Sequence, residues 1–374
     1  MKSNYSGKMI VRSGELLSKK DLRTIDPDGF DEAMNCLSFW RGEHALPLEA
    51  AYDELVLSTS GIEKHPVFSK RLKRAESIRS KLRVHKGMSL RRMQDVGGCR
   101  VVVANNKKVI KLSKLLAREG HIELKNDYIQ TPKEDGYRSI HLVGKYLGNS
   151  SRNFPIEIQI RSTLQHVWAT GVEMIDICTN QSLKSGLGTD SWEIFFIRLS
   201  EIFVEMEKIH FLDTLKMEQL LLSFDAMMKH DVFGGLIREL VSLERSLQLQ
   251  KKLGSFTKLI KFVDTVLEDK PNTLGYFLVK VDLEVGSVVA DDFYGDDQIN
   301  LANEKYVEIE KEIEGNSSKI VALVSTQAVG GIKEAYPNYF ADGQKLLFYM
   351  KIFEALYVRY ESRLAKLTKG VVSN

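Results

Sequence analysis

The sequence predicts an α/β chain of the α+β kind: a mixed sheet flanked by helices, then a helical segment, then a small second α/β module. Three observations carry this. The runs GGCRVVVA and PIEIQIR have strand length and strand patterning, and the stretches around them place apolar residues three and four apart. Beyond residue 190 a mostly helical stretch gives way to YFLVKVDLEV, which alternates strictly. Strands that alternate with helices mark an α/β unit.

In chain order, Phe30, Met34, Leu37 and Trp40 fall at helical spacing, and Pro47 is expected to separate two helices of a lead-in. From Val67 to about Leu82 the pattern is again helical and very basic. Gly97 to Ala104 reads as a buried strand, Lys108 to Glu119 as a helix, Ser139 to Tyr146 and Pro155 to Arg161 as strands, and Ser162 to Ile177 as a helix. The small, polar segment SLKSGLGTDS (residues 182–191) is the expected boundary. It divides residues 1–190, with a core at about 64–178, from an accessory region at 191–374. That region is expected to hold helices over 192–268, an α/β module over 275–342 with Val288 to Phe293 as a hairpin partner, and a last helix over 344–367.

A chain of 374 residues with 43% apolar content can bury a sizeable core. Its 53 basic and 50 acidic residues leave a net charge of +3, too little to argue nucleic-acid or membrane binding except by local clustering. Cys36, Cys99 and Cys178 lack the paired spacings of a zinc site or a disulfide framework, and there is neither an export-type apolar segment at the N-terminus nor an apolar run of membrane-spanning length. The expectation is a cytoplasmic protein with no membrane contact.

The chemistry concentrates in four places. In PIEIQIR, a period of two puts Ile156, Ile158 and Ile160 on one face and Glu157, Gln159 and Arg161 on the other. A sheet with one wet face would look the same. In KRLKRAESIRSKL, helical spacing would stack Lys70, Arg74, Ser77 and Lys81, with Arg71 and Lys73 alongside, interrupted only by Glu76. Such a stripe is either solvated or neutralised by a polyanion such as a triphosphate. In RRMQDVGGCRVVV, Asp95 precedes a strand and two glycines permit close approach, as they would in a plain turn. Asp95 and Glu157 at neighbouring strand ends suit Mg²⁺, which takes one or two carboxylates plus water and phosphate oxygens. Lastly, DYIQTPKEDGYRSIH gathers Lys133, Tyr137, Arg138 and His141 around an Asp135-Gly136 turn, and Tyr137 offers a face for a base to stack on.

In this order the four blocks RLKRAESIRSK, DVGGCR, DYIQTPKEDGYRSIH and IEIQIRSTLQHVWA resemble the synthetase domain of the RelA/SpoT family over about Arg71 to Glu173. The resemblance implies a nucleotidyltransferase-like mixed sheet. It implies transfer of pyrophosphate from ATP to the 3′-hydroxyl of a guanosine nucleotide, GDP or GTP, with Mg²⁺. By position, Arg71, Lys73, Ser77, Lys81 and Arg100 would bind ATP, Asp95 and Glu157 would hold the metal, and Glu157 would also activate the hydroxyl. Tyr137 would stack on the acceptor base, with Lys133, His141, Gln159 and Arg161 lining its pocket and His166 supporting it. Two departures, Thr170 after the Trp-Ala pair and Glu134-Asp135 before the glycine, bear on the acceptor.

The resemblance also extends to toxic relatives that pyrophosphorylate the tRNA 3′ end or make adenosine alarmones under the control of an antitoxin. The long second half suits a regulator or a contact for a protein partner; the aromatic loop Tyr336 to Phe340 either closes a small core, as such residues more often do, or offers the contact surface. Arg83, Lys86, Arg91 and Arg92 would then follow an RNA backbone. A catalytically inactive nucleotide-binding module is the third reading. His230-Asp231 lacks partner histidines, so hydrolysis is not expected.

Overall fold

A computed structural model describes residues 5–85, 87–149, 151–179, 190–209, 217–228, 231–254, 275–282, 287–295, 298–313, 319–325 and 339–371. The chain divides into two compact units, Met1–Pro132 with Arg138–Thr163, and Lys133–Tyr137 with Leu164–Asn374.

The first unit opens with helices. Ser6 caps α1 (Gly7–Leu17) by accepting from the Met9 amide, a helix that the polar start of the sequence did not announce. After the single turn α2 (Leu22–Ile25), Asp26 caps α3 (Pro27–Glu43), with proline at its first position, where an amide hydrogen is not missed. The break into α4 (Ala45–Thr59) falls at His44, and Pro47 sits harmlessly in the first turn.

The basic stretch is not one helix. Val67–Leu72 is strand β1, and only Ala75–Val84 forms helix α5, so Lys70 and Arg71 do not share a helical face with Ser77 and Lys81. β1 is an edge strand bonded on one side to β2 (Gly97–Val103), and cations on such a strand keep it soluble and discourage pairing with other chains. A helical period in so charged a segment is therefore no guide.

Asn105 caps α6 (Asn106–Leu116), and β3 (Ile122–Asp127), β4 (Ile140–Leu147) and β5 (Asn153–Ser162) complete the sheet. Its order is β1-β2-β5-β4-β3, with β2 and β5 parallel and the other neighbours antiparallel. β3 went unnoticed in the sequence because only Ile122 of it is buried. Cys99, Val101, Val103, Ile156, Ile158 and Ile160 line one face and pack with Leu48, Leu55, Val109 and Leu112 of α4 and α6. The opposite face carries the polar alternates of β2 and β5. Glu63 ties this layer to α6, accepting from the Ala104 amide at 2.8 Å and from Lys108 Nζ at 3.1 Å.

The second unit contains α7 (Thr163–Thr179), α8 (Asp190–Met206), α9 (Met217–Met227) and α10 (Asp231–Leu247). Strands β6 (Gly275–Asp282), β7 (Ser287–Gly295) and β8 (Lys319–Ser325) form an antiparallel sheet in the order β7-β6-β8, with α11 (Ile299–Glu312) beside it. β6 and β7 are the hairpin that the alternating pattern predicts. The long α12 (Tyr339–Val371) supplies Leu346, Met350, Phe353 and Leu356 to a core shared with Trp168, Trp192, Phe196 and Phe224. Residues 182–189 of the expected boundary, 255–268 of the expected helical stretch, His230 and residues 336–338 of the aromatic loop lie outside the described residues.

Candidate active site

The polar face of the first unit's sheet is built in rows. Register pairs Arg71 with Gly98 and Gly98 with Glu157, and in the next row Ser69, Arg100, Gln159 and His141 lie side by side. Gly98 therefore leaves the row open between Arg71 and Glu157. A Cβ there would lie 3.5 Å from the Glu157 carbonyl, and any longer side chain would cover the face. Gly97 points the other way, where a Cβ would strike Ile156.

Asp95 sits two residues before β2. Lys73, at the turn after β1, donates to its Oδ2 at 3.0 Å, and Lys81 of α5 donates to the same oxygen at 2.7 Å. Lys73 is fixed at both ends of its backbone: its amide donates to Val96 O at 2.7 Å and its carbonyl accepts from Arg41 Nε at 2.8 Å. Arg41, on α3, has no signal in the sequence that links it to the site. Burial pushes the Asp95 carboxyl up, but the two lysines prevail and hold it below the ordinary carboxylate range. Its Oδ1 is buried with no hydrogen-bond partner.

Glu157 lies in a chain of polar contacts along β5. Arg161 Nη2 donates to Gln159 Oε1 at 2.9 Å, Gln159 Nε2 donates to Glu157 Oε2 at 2.8 Å, and His141 Nδ1 stands 3.1 Å from Glu157 Oε1. Tyr128 packs edge-on against the His141 ring at 5.2 Å. Burial raises the Glu157 pKa and the charge of Asp95 raises it further, yet the His141 and Gln159 contacts outweigh both, so the net shift is downward. Both carboxylates are thus ionised at neutral pH, and they interact electrostatically.

Among the described residues, no group of three or more His, Cys, Asp or Glu side chains is placed to hold a metal. Two carboxylates are nonetheless enough for a hard cation that completes its shell with water and phosphate oxygens. The partnerless Asp95 Oδ1 fits that use, because a buried carboxylate oxygen without a donor is costly unless something positive comes to it.

The other expected residues divide. Ser77 is exposed on α5, and Arg71 is exposed on β1 rather than on a helix. Glu76 pairs with Arg79 at 2.6 Å and with Arg83 at 3.3 Å, so the basic run is partly neutralised from within. Lys133, Tyr137 and His166 belong to the second unit. There, Gly136 takes φ +91°, its carbonyl accepts from Ser200 Oγ at 2.6 Å, and Asp135 caps the Tyr137 amide at 2.9 Å. Lys133 Nζ stands 5.1 Å over the Tyr137 ring, whose centroid is 6.1 Å from that of Trp168. Half-buried Tyr137 is thus held by its own loop and unit, and Thr170 is buried.

Comparison with known proteins finds relatives over the segment that carries this face. Residues 70–175 match the family described as "Region found in RelA / SpoT proteins". The chloroplastic probable GTP diphosphokinase RSH3 of Arabidopsis thaliana is 34% identical over 145 residues, 38% of this chain and 18% of the relative. The GTP pyrophosphokinase YwaC of Bacillus subtilis is 32% identical over 111 residues, 27% of this chain and 52% of the relative. The crystal structure of small alarmone synthetase 1 from Bacillus subtilis bound to its product pppGpp matches at 25% identity and a TM-score of 0.38, covering 45% of this chain and 93% of that one. This chain thus spans under a fifth of the plant relative and about half of the bacterial one. Residues 70–175, which hold Asp95, its two lysines and Glu157, are the segment of this chain that matches the RelA/SpoT family.

Proposed function

We propose that this chain is a Mg²⁺-dependent enzyme that transfers pyrophosphate from ATP to the 3′-hydroxyl of a guanosine nucleotide, GDP or GTP. The observation that carries the reading is the electrostatic coupling of Asp95, held by Lys73 and Lys81, to ionised Glu157 on an open sheet face within the family-matched segment. Its named relatives are GTP diphosphokinases and pyrophosphokinases, which supports the same reaction class.

Transfer of such a group depends on positioning and charge neutralisation more than on covalent chemistry. Lys73 and Lys81 exchange the Asp95 oxygen for ATP phosphate oxygens, and Arg71, Ser77 and Arg100 add donors around the nucleotide. Asp95 and Glu157 would hold Mg²⁺, which when bound neutralises phosphate charge and acidifies a nearby hydroxyl. The acceptor oxygen attacks the β-phosphorus, the bond from that phosphorus to the oxygen bridging it to the α-phosphate breaks, and AMP leaves. The hydroxyl proton passes to the Glu157 carboxylate, which is ionised and therefore able to take it. Arg161, Gln159 and His141 hold that carboxylate in place, while Tyr137, Lys133 and His166 are assigned to the acceptor. Residues 191–374 are assigned an accessory role, open to a protein regulator, and the location is cytoplasmic.

The test is incubation of the purified full chain with γ-labelled ATP and, separately, GDP, GTP, an adenosine nucleotide or deacylated tRNA. Label is expected on the guanosine nucleotides. Label on tRNA or on the adenosine nucleotide alone would replace the acceptor with that of the toxic relatives, and label on none of them would end the enzymatic reading in favour of a binding module.

A further inference from the structure

A cavity of about 510 Å³ opens in the first unit, away from the row of Arg71, Gly98 and Glu157. One wall is α1, through Val11, Gly14, Glu15 and Ser18, whose spacing puts them on one helix face. The other wall is the end of α5, Leu82 and Arg83, with Gly87, Met88, Ser89 and Arg92 of the segment that follows. The volume lies within the range of about 300–1,000 Å³ usual for small-molecule sites.

The lining is chemically specific. Two guanidiniums face it, and both are only partly used: Arg83 reaches Glu76 at a long 3.3 Å through Nη1, and Arg92 donates through Nη2 to the Gly87 carbonyl at 3.1 Å. Arg83 Nε and Ser89 Oγ are buried with no hydrogen-bond partner. Buried donors without partners cost free energy unless a ligand or water satisfies them. Three apolar side chains, Val11, Leu82 and Met88, give the remaining wall a surface for a flat, apolar body, and Glu15 stands exposed at the rim. Gly14 keeps the walls close, because a Cβ there would meet Leu90 Cβ at 2.7 Å.

From these features we infer that the cavity between α1, the end of α5 and residues 87–92 is a second ligand site, one that takes a phosphorylated molecule the size of a mononucleotide. Its phosphate meets Arg83, Arg92 and Ser89, since guanidinium and hydroxyl donors form strong charge-assisted bonds to phosphate oxygens. Its base lies against Val11, Leu82 and Met88. The site adjoins the proposed ATP-binding residues through the chain itself, because Arg83 follows Lys81 by two residues and Arg92 precedes Asp95 by three.

The experiment is equilibrium dialysis of the full chain with labelled GMP and AMP, with guanosine and inorganic phosphate as competitors. Saturable binding of at least one mononucleotide is expected, weakened about tenfold or more by Arg92→Glu, as the loss of a charge-assisted contact implies. Arg92→Lys should recover part of it, and Glu157→Gln should leave it unchanged. Ser89→Leu, which fills the cavity, should also abolish it in protein whose circular dichroism matches the parent. No saturable binding at millimolar nucleotide, or binding that falls with Glu157→Gln and not with Arg92→Glu, overturns the assignment.

Discussion

Lys81 Nζ donates to Asp95 Oδ2 across 2.7 Å, while the other oxygen of that carboxylate is buried with no hydrogen-bond partner. On the proposed reading, the cations on one oxygen move to a phosphate and the other oxygen takes the metal. Asp95→Asn keeps the shape and removes the charge. Pyrophosphate transfer should fall at least about 100-fold. The thermal midpoint should move little, because Lys73 and Lys81 can turn to solvent. Steady-state kinetics beside a melting curve check both halves, and retained activity would remove Asp95 from the machinery.

Gln159 bridges Arg161 and Glu157, with its amide orientation fixed by a donor on one side and an acceptor on the other. Gln159→Leu cuts the chain without adding charge. Turnover should drop about tenfold to 100-fold, as for a group that orients a ligand, with the KM for ATP largely unchanged. A rise in KM with normal turnover would instead make Gln159 a binding contact.

Much of this face was readable beforehand, and the reasons are local. The alternation of Ile156, Ile158 and Ile160 with Glu157, Gln159 and Arg161 survives because β5 is central and has one buried face, so period two dictates which side each residue takes. The pair Gly97-Gly98 predicts a close approach, and the fold supplies one at Gly97, against Ile156, while Gly98 leaves the polar face open. β1 reads as helix because an edge strand rich in Lys and Arg has no apolar alternation to betray it, and β3 carries no strand signal because Ile122 is its single buried side chain. Arg41 could not be found at all, since its contact with the Lys73 carbonyl joins residues 32 apart through folding alone.

His44 gives the first unit a pH dependence. Its ring is fully buried, Nδ1 lies 2.8 Å from Trp40 O, and Nε2 is buried without a partner. Burial pushes its pKa down from 6.5 to about 4, against the opposing hydrogen bond to Trp40. Between those values the unfolded chain takes up a proton that folded His44 refuses. Stability should therefore be complete above the unfolded value and decline as pH falls toward the folded one, by roughly 3 kcal/mol over the window. Denaturant unfolding across that range should show a flatter decline in His44→Phe, which keeps the ring between Trp40 and Phe154. An unchanged slope would assign the acid sensitivity elsewhere.

A fragment ending near residue 190 should fold poorly. Trp168 of α7 donates through Nε1 to Phe196 O at 2.7 Å, and a Cβ at Gly171 would meet Leu346 at 2.6 Å, so α7 is packed with residues of α8 and α12. Removing those partners leaves Val167, Trp168 and Val172 uncovered. Residues 1–190 are expected to aggregate or bind a hydrophobic dye where the full chain does not. A monomeric, cooperatively melting fragment would refute this, and would also permit comparison of its toxicity to cells with that of the full chain.

The central claim is that Glu157 is the carboxylate that takes the acceptor's proton while sharing a metal with Asp95. Its most direct test is transfer of label from γ-labelled ATP to GDP or GTP by the parent and by Glu157→Gln, with ATP binding measured in parallel. The account predicts label transfer by the parent, a loss of at least about 100-fold in the variant and ATP affinity that stays within a few-fold. Equal transfer by parent and variant would contradict it.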